Sequence, residues 1–104
     1  MSKKANQDIK QLRAIGHKLK PVVTVAGKGL NENVLTEIDR ALTDHEFIKI
    51  KLAVGGRDQR QAVSEELCER TGAEAVQSVG NMILILRRTK KPDPKLSNLI
   101  RPVA

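Results

Sequence analysis

Val22-Val23-Thr24-Val25-Ala26-Gly27-Lys28-Gly29-Leu30 is the stretch on which the fold turns. Its first four residues include three valines and a threonine, β-branched side chains that suit a buried strand. Gly27 and Gly29 then permit a tight turn. Asn31 follows as a natural N-cap for a helix whose Val34, Leu35, Ile38 and Leu42 form one stripe, while Glu32, Glu37, Asp39 and Arg40 face water. Beyond it, Phe47-Ile48-Lys49-Ile50-Lys51-Leu52-Ala53-Val54 alternates, with Ile48, Ile50, Leu52 and Val54 on one side and Lys49 and Lys51 on the other. Strand, helix and strand in succession predict a parallel crossover. The second strand has one apolar face and one wet, positive face.

Working outward, Ala5, Ile9, Leu12 and Ile15 recur at helical spacing between Ser2 and Gly16, and Gly16 is a plausible stop for that helix. Lys18-Leu19-Lys20-Pro21 leads into the first strand. On the other side, Gly55-Gly56 breaks the second strand, and Asp58 with Gln61 has the form of a capping box for a third helix over about residues 59–71. Val63 and Leu67 anchor its inner face. Ala75–Val79 and Met82–Leu86 read as strands joined by the two-residue turn Gly80-Asn81. The order α-β-α-β-α-β-β predicts a single compact α/β domain over residues 1–88, with a four-stranded mixed sheet and helices mainly on one face. Residues 89–104 carry three prolines with Lys90, Lys91, Lys95 and Arg101, which predicts an extended basic tail.

The chain of 104 residues holds 19 Lys and Arg against 12 Asp and Glu, a net charge of +7 that predicts a polyanionic partner. Charge alone does not choose among nucleic acid, anionic membrane and general ribosome affinity. Phe47 is the one aromatic residue, which weighs against modules that stack unpaired bases on exposed rings and favours gripping of the phosphate backbone. No apolar run approaches the roughly 20 residues of a membrane span, and the first residues lack an apolar signal core. A cytoplasmic protein without membrane attachment is expected. Cys68 has no second cysteine to pair with and reads as a partly buried thiol of a reducing compartment.

Three groups of residues are candidates for the contact. Gly27-Lys28-Gly29 between strand and helix allows close approach to a phosphate, and the following helix N-terminus adds unpaired N–H groups; equally, any strand-to-helix turn favours glycine. A nucleotide-triphosphate loop does not fit, because the spacing of glycines and the residue after Gly-Lys are both wrong. Arg13, His17, Lys18 and Lys20 cluster around the end of the first helix, with Arg13 and His17 one helical turn apart. Lys49 and Lys51 stand side by side on the sheet, where a polyanion would relieve their repulsion, although sheet-edge protection would also account for them. Arg87 and Arg88 extend the positive surface. Neither His17 nor His45 has a local metal-ligand pattern, and no isolated carboxylate pair suggests acid–base chemistry, so neither catalysis, a metal nor a cofactor is expected.

Leu12-Arg13-Ala14-Ile15-Gly16-His17-Lys18-Leu19-Lys20-Pro21-Val22-Val23, Gly27-Lys28-Gly29-Leu30 and His45-Glu46-Phe47-Ile48-Lys49-Ile50-Lys51, in that order, resemble the YhbY family, the free-standing bacterial form of the CRM (chloroplast RNA splicing and ribosome maturation) domain. The resemblance covers about residues 10–88. It implies an α/β domain similar to the C-terminal domain of bacterial translation initiation factor three, with a GxxG loop that takes part in binding RNA. It also implies association with precursors of the large ribosomal subunit. By position the loop is Ala26-Gly27-Lys28-Gly29, with alanine where the pattern has its first glycine. A left-handed backbone at Ala26 would cost roughly 1–2 kcal/mol, whereas an extended one is free of strain. The expected function is RNA binding as a monomeric ribosome-assembly factor, with ribosomal RNA and pre-large-subunit particles as partners and no small-molecule substrate. The alternative is a protein-interaction module that uses the sheet or Leu96, Leu99 and Ile100, with basic charge serving only to localise it.

Overall fold

The computed structural model describes residues 9–27 and 29–99. Three helices and four strands follow the expected order: α1 (Ile9–Lys18), β1 (Pro21–Val25), α2 (Glu32–His45), β2 (Phe47–Leu52), α3 (Arg57–Thr71), β3 (Glu74–Val79) and β4 (Met82–Leu86). The sheet is mixed, with order β1-β2-β4-β3. β1 runs parallel to β2, and β4 is antiparallel to both β2 and β3. Proline at the start of β1 is tolerated because β1 is an edge strand. The expected helical turn around Ala5, the loop lysine Lys28, and Ile100 and Arg101 lie outside the described residues.

Helices cover both faces. α2 and α3 pack Ile38, Leu42 and Leu67 against Val23, Val25, Ile48, Ile50, Ile83 and Ile85. α1 lies on the opposite face, where Leu12 and Leu19 meet Phe47, Leu84 and Leu86. The lysine face of β2 is therefore half covered rather than open. The physical reason is Phe47, which shares that face with Lys49 and Lys51 and is fully buried. Leaving Phe47, Leu84 and Leu86 in water would forgo about 1.5–3 kcal/mol for each side chain.

Two local expectations change. Gly16 does not stop α1, which continues to Lys18. Its backbone instead lies so close to β4 that a Cβ there would come within 2.3 Å of a Leu84 methyl carbon. For α3 the N-cap is Gly56, and Gln59 rather than Gln61 turns back, its side-chain oxygen accepting from the Gly56 N–H at 3.2 Å. Asn31 caps α2 as expected, accepting from the Val34 N–H at 2.9 Å.

The segment after β4 is not an extended tail in residues 89–99. It contains no helix or strand, yet Ser97 and Asn98 are buried. A turn at Asp93, whose carbonyl accepts from the Ser97 N–H at 2.7 Å, sends the chain back to the α2–β2 junction. There the Asn98 side chain donates to the Phe47 carbonyl at 2.7 Å, and the Asn98 N–H donates to the His45 carbonyl at 2.9 Å. Buried Glu46 accepts from the Thr89 N–H at 2.7 Å and from the Ser97 hydroxyl at 2.6 Å. Three prolines and four cations concealed this docking, because the few residues that fix it are short and polar.

Glu46→Ala removes both acceptors from donors that have left water, and is expected to cost about 2–4 kcal/mol of stability. Urea unfolding checks the loss, and faster tryptic cleavage after Lys95 checks that the C-terminal segment is what comes loose.

Candidate nucleic-acid interface

A groove of about 390 Å3 separates α1 from the exposed end of the sheet face it covers. Arg13 and His17, one turn apart, form its helical wall, and Lys49 and Gln77 reach it from the sheet. Its remaining lining is apolar and includes Ala14, Met82 and Leu84. Gly16 is what lets α1 settle onto the Leu84 side chain, which brings the helical wall close to the sheet face that carries Lys49. Arg13 and Lys49 form no ion pair with any described residue.

The row Thr24, Lys51, Met82 and Val79 crosses all four strands next to this groove. Paired residues of a sheet point to the same face, so Lys51 lies beside Lys49, about 7 Å further along β2. The row is open: Val79 is 60% exposed, and Val22, on the same face of β1, is 46% exposed. β2 is an interior strand, so protection of a sheet edge does not account for its lysines.

At the end of β1 beyond Thr24 comes the glycine loop. The Gly29 N–H donates to the Ala26 carbonyl at 2.8 Å, closing the turn, and Gly29 takes the left-handed conformation at φ 74°. Neither Ala26 nor Gly27 has a positive φ, so alanine is accommodated at the first loop position without backbone strain. Both residues are exposed. Lys18 and Lys20 are exposed on either side of buried Leu19, and Lys20 enters β1 where Pro21 stands opposite Lys49. Of the expected contact residues, Arg13, His17 and Lys49 thus meet at the groove, with Lys51 in the adjoining row, while Lys18, Lys20, Gly27 and Gly29 do not line it. Arg88 is exposed after the far end of β4, away from the loop.

A second basic cleft, of about 320 Å3, was not legible as such in the sequence. It lies between the start of α3 and the β3–β4 hairpin, and Arg57, Arg60, Gln61 and Ser78 line it. Ser78 and Gln77 are neighbours on β3 and point to opposite faces, so the two clefts flank the hairpin. The signal was the pair Arg57 and Arg60 in the first turn of a helix, which charge patterning alone assigns to a solvated face.

Other polar residues serve the fold. The His45 Nδ1–H donates to the Leu96 carbonyl at 2.8 Å, since a carbonyl can only accept. Burial, and secondarily the negative charge of Glu74, push the Cys68 thiol above its ordinary range, which disfavours the reactive thiolate. Among the described residues no three His, Cys, Asp or Glu side chains are grouped to hold a metal ion, and no helix is long and apolar enough to cross a membrane.

Residues 5–87 match the family described as the CRS1 / YhbY (CRM) domain. The chain belongs to that family. It is 52% identical over 92 residues to a "probable RNA-binding protein" of Pseudomonas aeruginosa, covering 88% of each chain. It is 38% identical to an "RNA-binding protein" of Haemophilus influenzae, over 77% of this chain and 81% of that one. The solution structure of a hypothetical protein from Staphylococcus aureus superposes with a TM-score of 0.72 at 34% identity, covering 80% of this chain and 86% of that one.

One arginine of this CRM domain turns inward. Arg87 donates to the Asp39 carboxylate at 2.7 Å and to the Thr71 carbonyl at 2.8 Å through Nη1. Through Nη2 it donates to the Asp39 carbonyl and the Thr43 hydroxyl, each at 3.0 Å. Its guanidinium joins the last turns of α2 and α3 to the end of β4, so the expectation that Arg87 extends the outer basic surface is corrected. Arg87→Ala is expected to lower stability by about 2 kcal/mol while leaving Arg13, Lys49 and the groove in place. Chemical denaturation measures the first effect, and chemical-shift mapping of α1 and β2 the second.

Proposed function

We propose that this CRM domain binds RNA through the side of the molecule that carries α1, the half-buried lysines of β2 and the glycine loop. The observation that carries the reading is the convergence of Arg13, His17 and Lys49 on one groove, with Lys51 in the adjoining row. Two separate segments of chain bring unpaired cations to one place, at an unfavourable mutual repulsion that phosphate relieves. The RNA-binding names of the relatives support the same partner. We assign Gly27, Lys28 and Gly29 to backbone contact next to this surface, and Lys18, Lys20 and Arg88 to its periphery.

The finer assignment is a cytoplasmic, monomeric, non-enzymatic assembly factor that docks on ribosomal RNA in precursors of the large subunit. The resemblance to the YhbY family supports it, as does a surface that offers cations without an aromatic stacking platform, which suits structured RNA. The protein-interaction alternative loses part of its basis, because Leu99 packs against the Leu12–Phe47 cluster.

If Arg13, Lys28, Lys49 and Lys51 each meet a phosphate, affinity for a ribosomal RNA fragment is expected to fall roughly a hundredfold between about 50 and 200 mM salt. Lys49→Glu and Arg13→Glu are each expected to weaken binding at least about tenfold, and Lys28→Glu tests the loop in the same titration. Salt-independent affinity would overturn the RNA reading. Crosslinking in cells is expected to recover large-subunit ribosomal RNA precursors, and recovery of other RNAs alone would overturn the target.

A further inference from the structure

We propose that the groove between α1 and the sheet receives one unpaired nucleotide of the bound RNA, with its base against the apolar lining and its flanking phosphates on Arg13 and Lys49. This rests on the RNA-binding reading and goes beyond it, since gripping a phosphate backbone needs only a convex or flat cationic surface. The surface here is concave, with a volume of about 390 Å3 that falls within the range of small-ligand pockets. Cations stand at its walls, and Ala14, Met82 and Leu84 supply an apolar lining. That division matches a nucleotide, which has a planar base with apolar faces and polar edges, and an anionic phosphate.

Gln77 adds the polar group such a pocket needs. It is half-buried at the groove, and its amide makes no hydrogen bond with a described residue. It offers both a donor and an acceptor to a base edge. The Arg13 guanidinium is planar and suited to lie against a base face in place of the missing aromatic ring. A base inside an RNA duplex has both faces stacked and its major-groove edge in a deep, narrow cleft. Only a bulged, looped or extruded nucleotide can enter.

Fluorescence anisotropy with two RNA hairpins, matched in stem sequence, one fully paired and one with a single-nucleotide bulge, tests the proposal. The bulged hairpin is expected to bind the unmodified protein about tenfold more tightly. Ala14→Met, at an exposed helical position, fills the groove without changing charge or adding a ring that could stack. It is expected to abolish the preference and leave affinity for the paired hairpin within about twofold. Val79→Met fills the groove from the hairpin side and is expected to act alike, which keeps the test valid if α1 is perturbed. Equal, salt-dependent binding of both hairpins would overturn the nucleotide pocket and leave the phosphate-gripping reading standing. A preference that survives both substitutions would likewise overturn it, and absence of binding to either hairpin would overturn both readings.

Discussion

The contact between Gly16 and Leu84 is the constraint on which the functional side of this domain depends. The second face of the sheet is apolar at one end, around Phe47, Leu84 and Leu86, and cationic at the other, at Lys49 and Lys51. α1 must cover the first part and leave the second accessible. Because Gly16 has no side chain, the helix can settle onto Leu84, and Arg13 and His17 are carried to the edge of the covered area opposite Lys49. A side chain at position 16 would lift the helix or displace Leu84, at a packing cost of about 1–3 kcal/mol. The glycine lowers helix propensity by about 1 kcal/mol relative to alanine. The two magnitudes are comparable, so close packing is sufficient reason for glycine within the helix.

The basic residues divide into two kinds by their environment. Arg87 has five N–H donors in a rigid fork and occupies four of its contacts within the molecule, where it joins three elements. Arg13 and Lys49 have no such partners among the described residues and remain hydrated at the groove. The first kind is exchanged for phosphate only by disrupting helix ends. The second exchanges water and counterions, which is the process that drives association with a polyanion. A net charge of +7 therefore overstates some positions and understates others: Arg57 belongs to the second kind although its helix face appears ordinary, while Arg60 beside it gives one donor to the Gly55 carbonyl at 3.4 Å.

Element order was legible because each element carries its own periodicity: the stripe Val34–Leu42, the alternation Ile48–Leu52, with β2 ending two residues before the expected Val54, and the turn Gly80-Asn81 lie where local rules place them. The resemblance added the expectation that the cationic residues near Gly16 and the glycine loop act as one set. What escaped were relations across the chain. The position of α1 on the lysine face had a signal in β4, whose Met82-Ile83-Leu84-Ile85-Leu86 is apolar on both sides and so requires cover on both. Arg87 had none, since two adjacent arginines after a strand look alike until the fold turns one toward Asp39. The tail likewise gave a composition of proline and lysine that matches disorder, and its docking rests on Ser97 and Asn98, which carry no hydrophobic signature.

Glu46 shows why that docking belongs to the domain rather than to an appendage. It is the one described non-glycine residue with positive φ, at 63°, a conformation that costs of order 1–3 kcal/mol. It ends α2 and starts β2 in a single step, its N–H donating to the Leu42 carbonyl and its carbonyl accepting from the Arg87 N–H. That abrupt junction determines where Phe47 enters the sheet, and hence the side on which Lys49 and Lys51 emerge. Two hydrogen bonds to its buried carboxylate, of about 1.5–3 kcal/mol each, offset the strain, and both donors come from residues beyond β4. A cut after residue 88 would leave Glu46 strained and without those partners. The folded unit therefore extends at least to Leu99, and the segment that composition assigns to a loose tail helps hold the strand that presents the lysines.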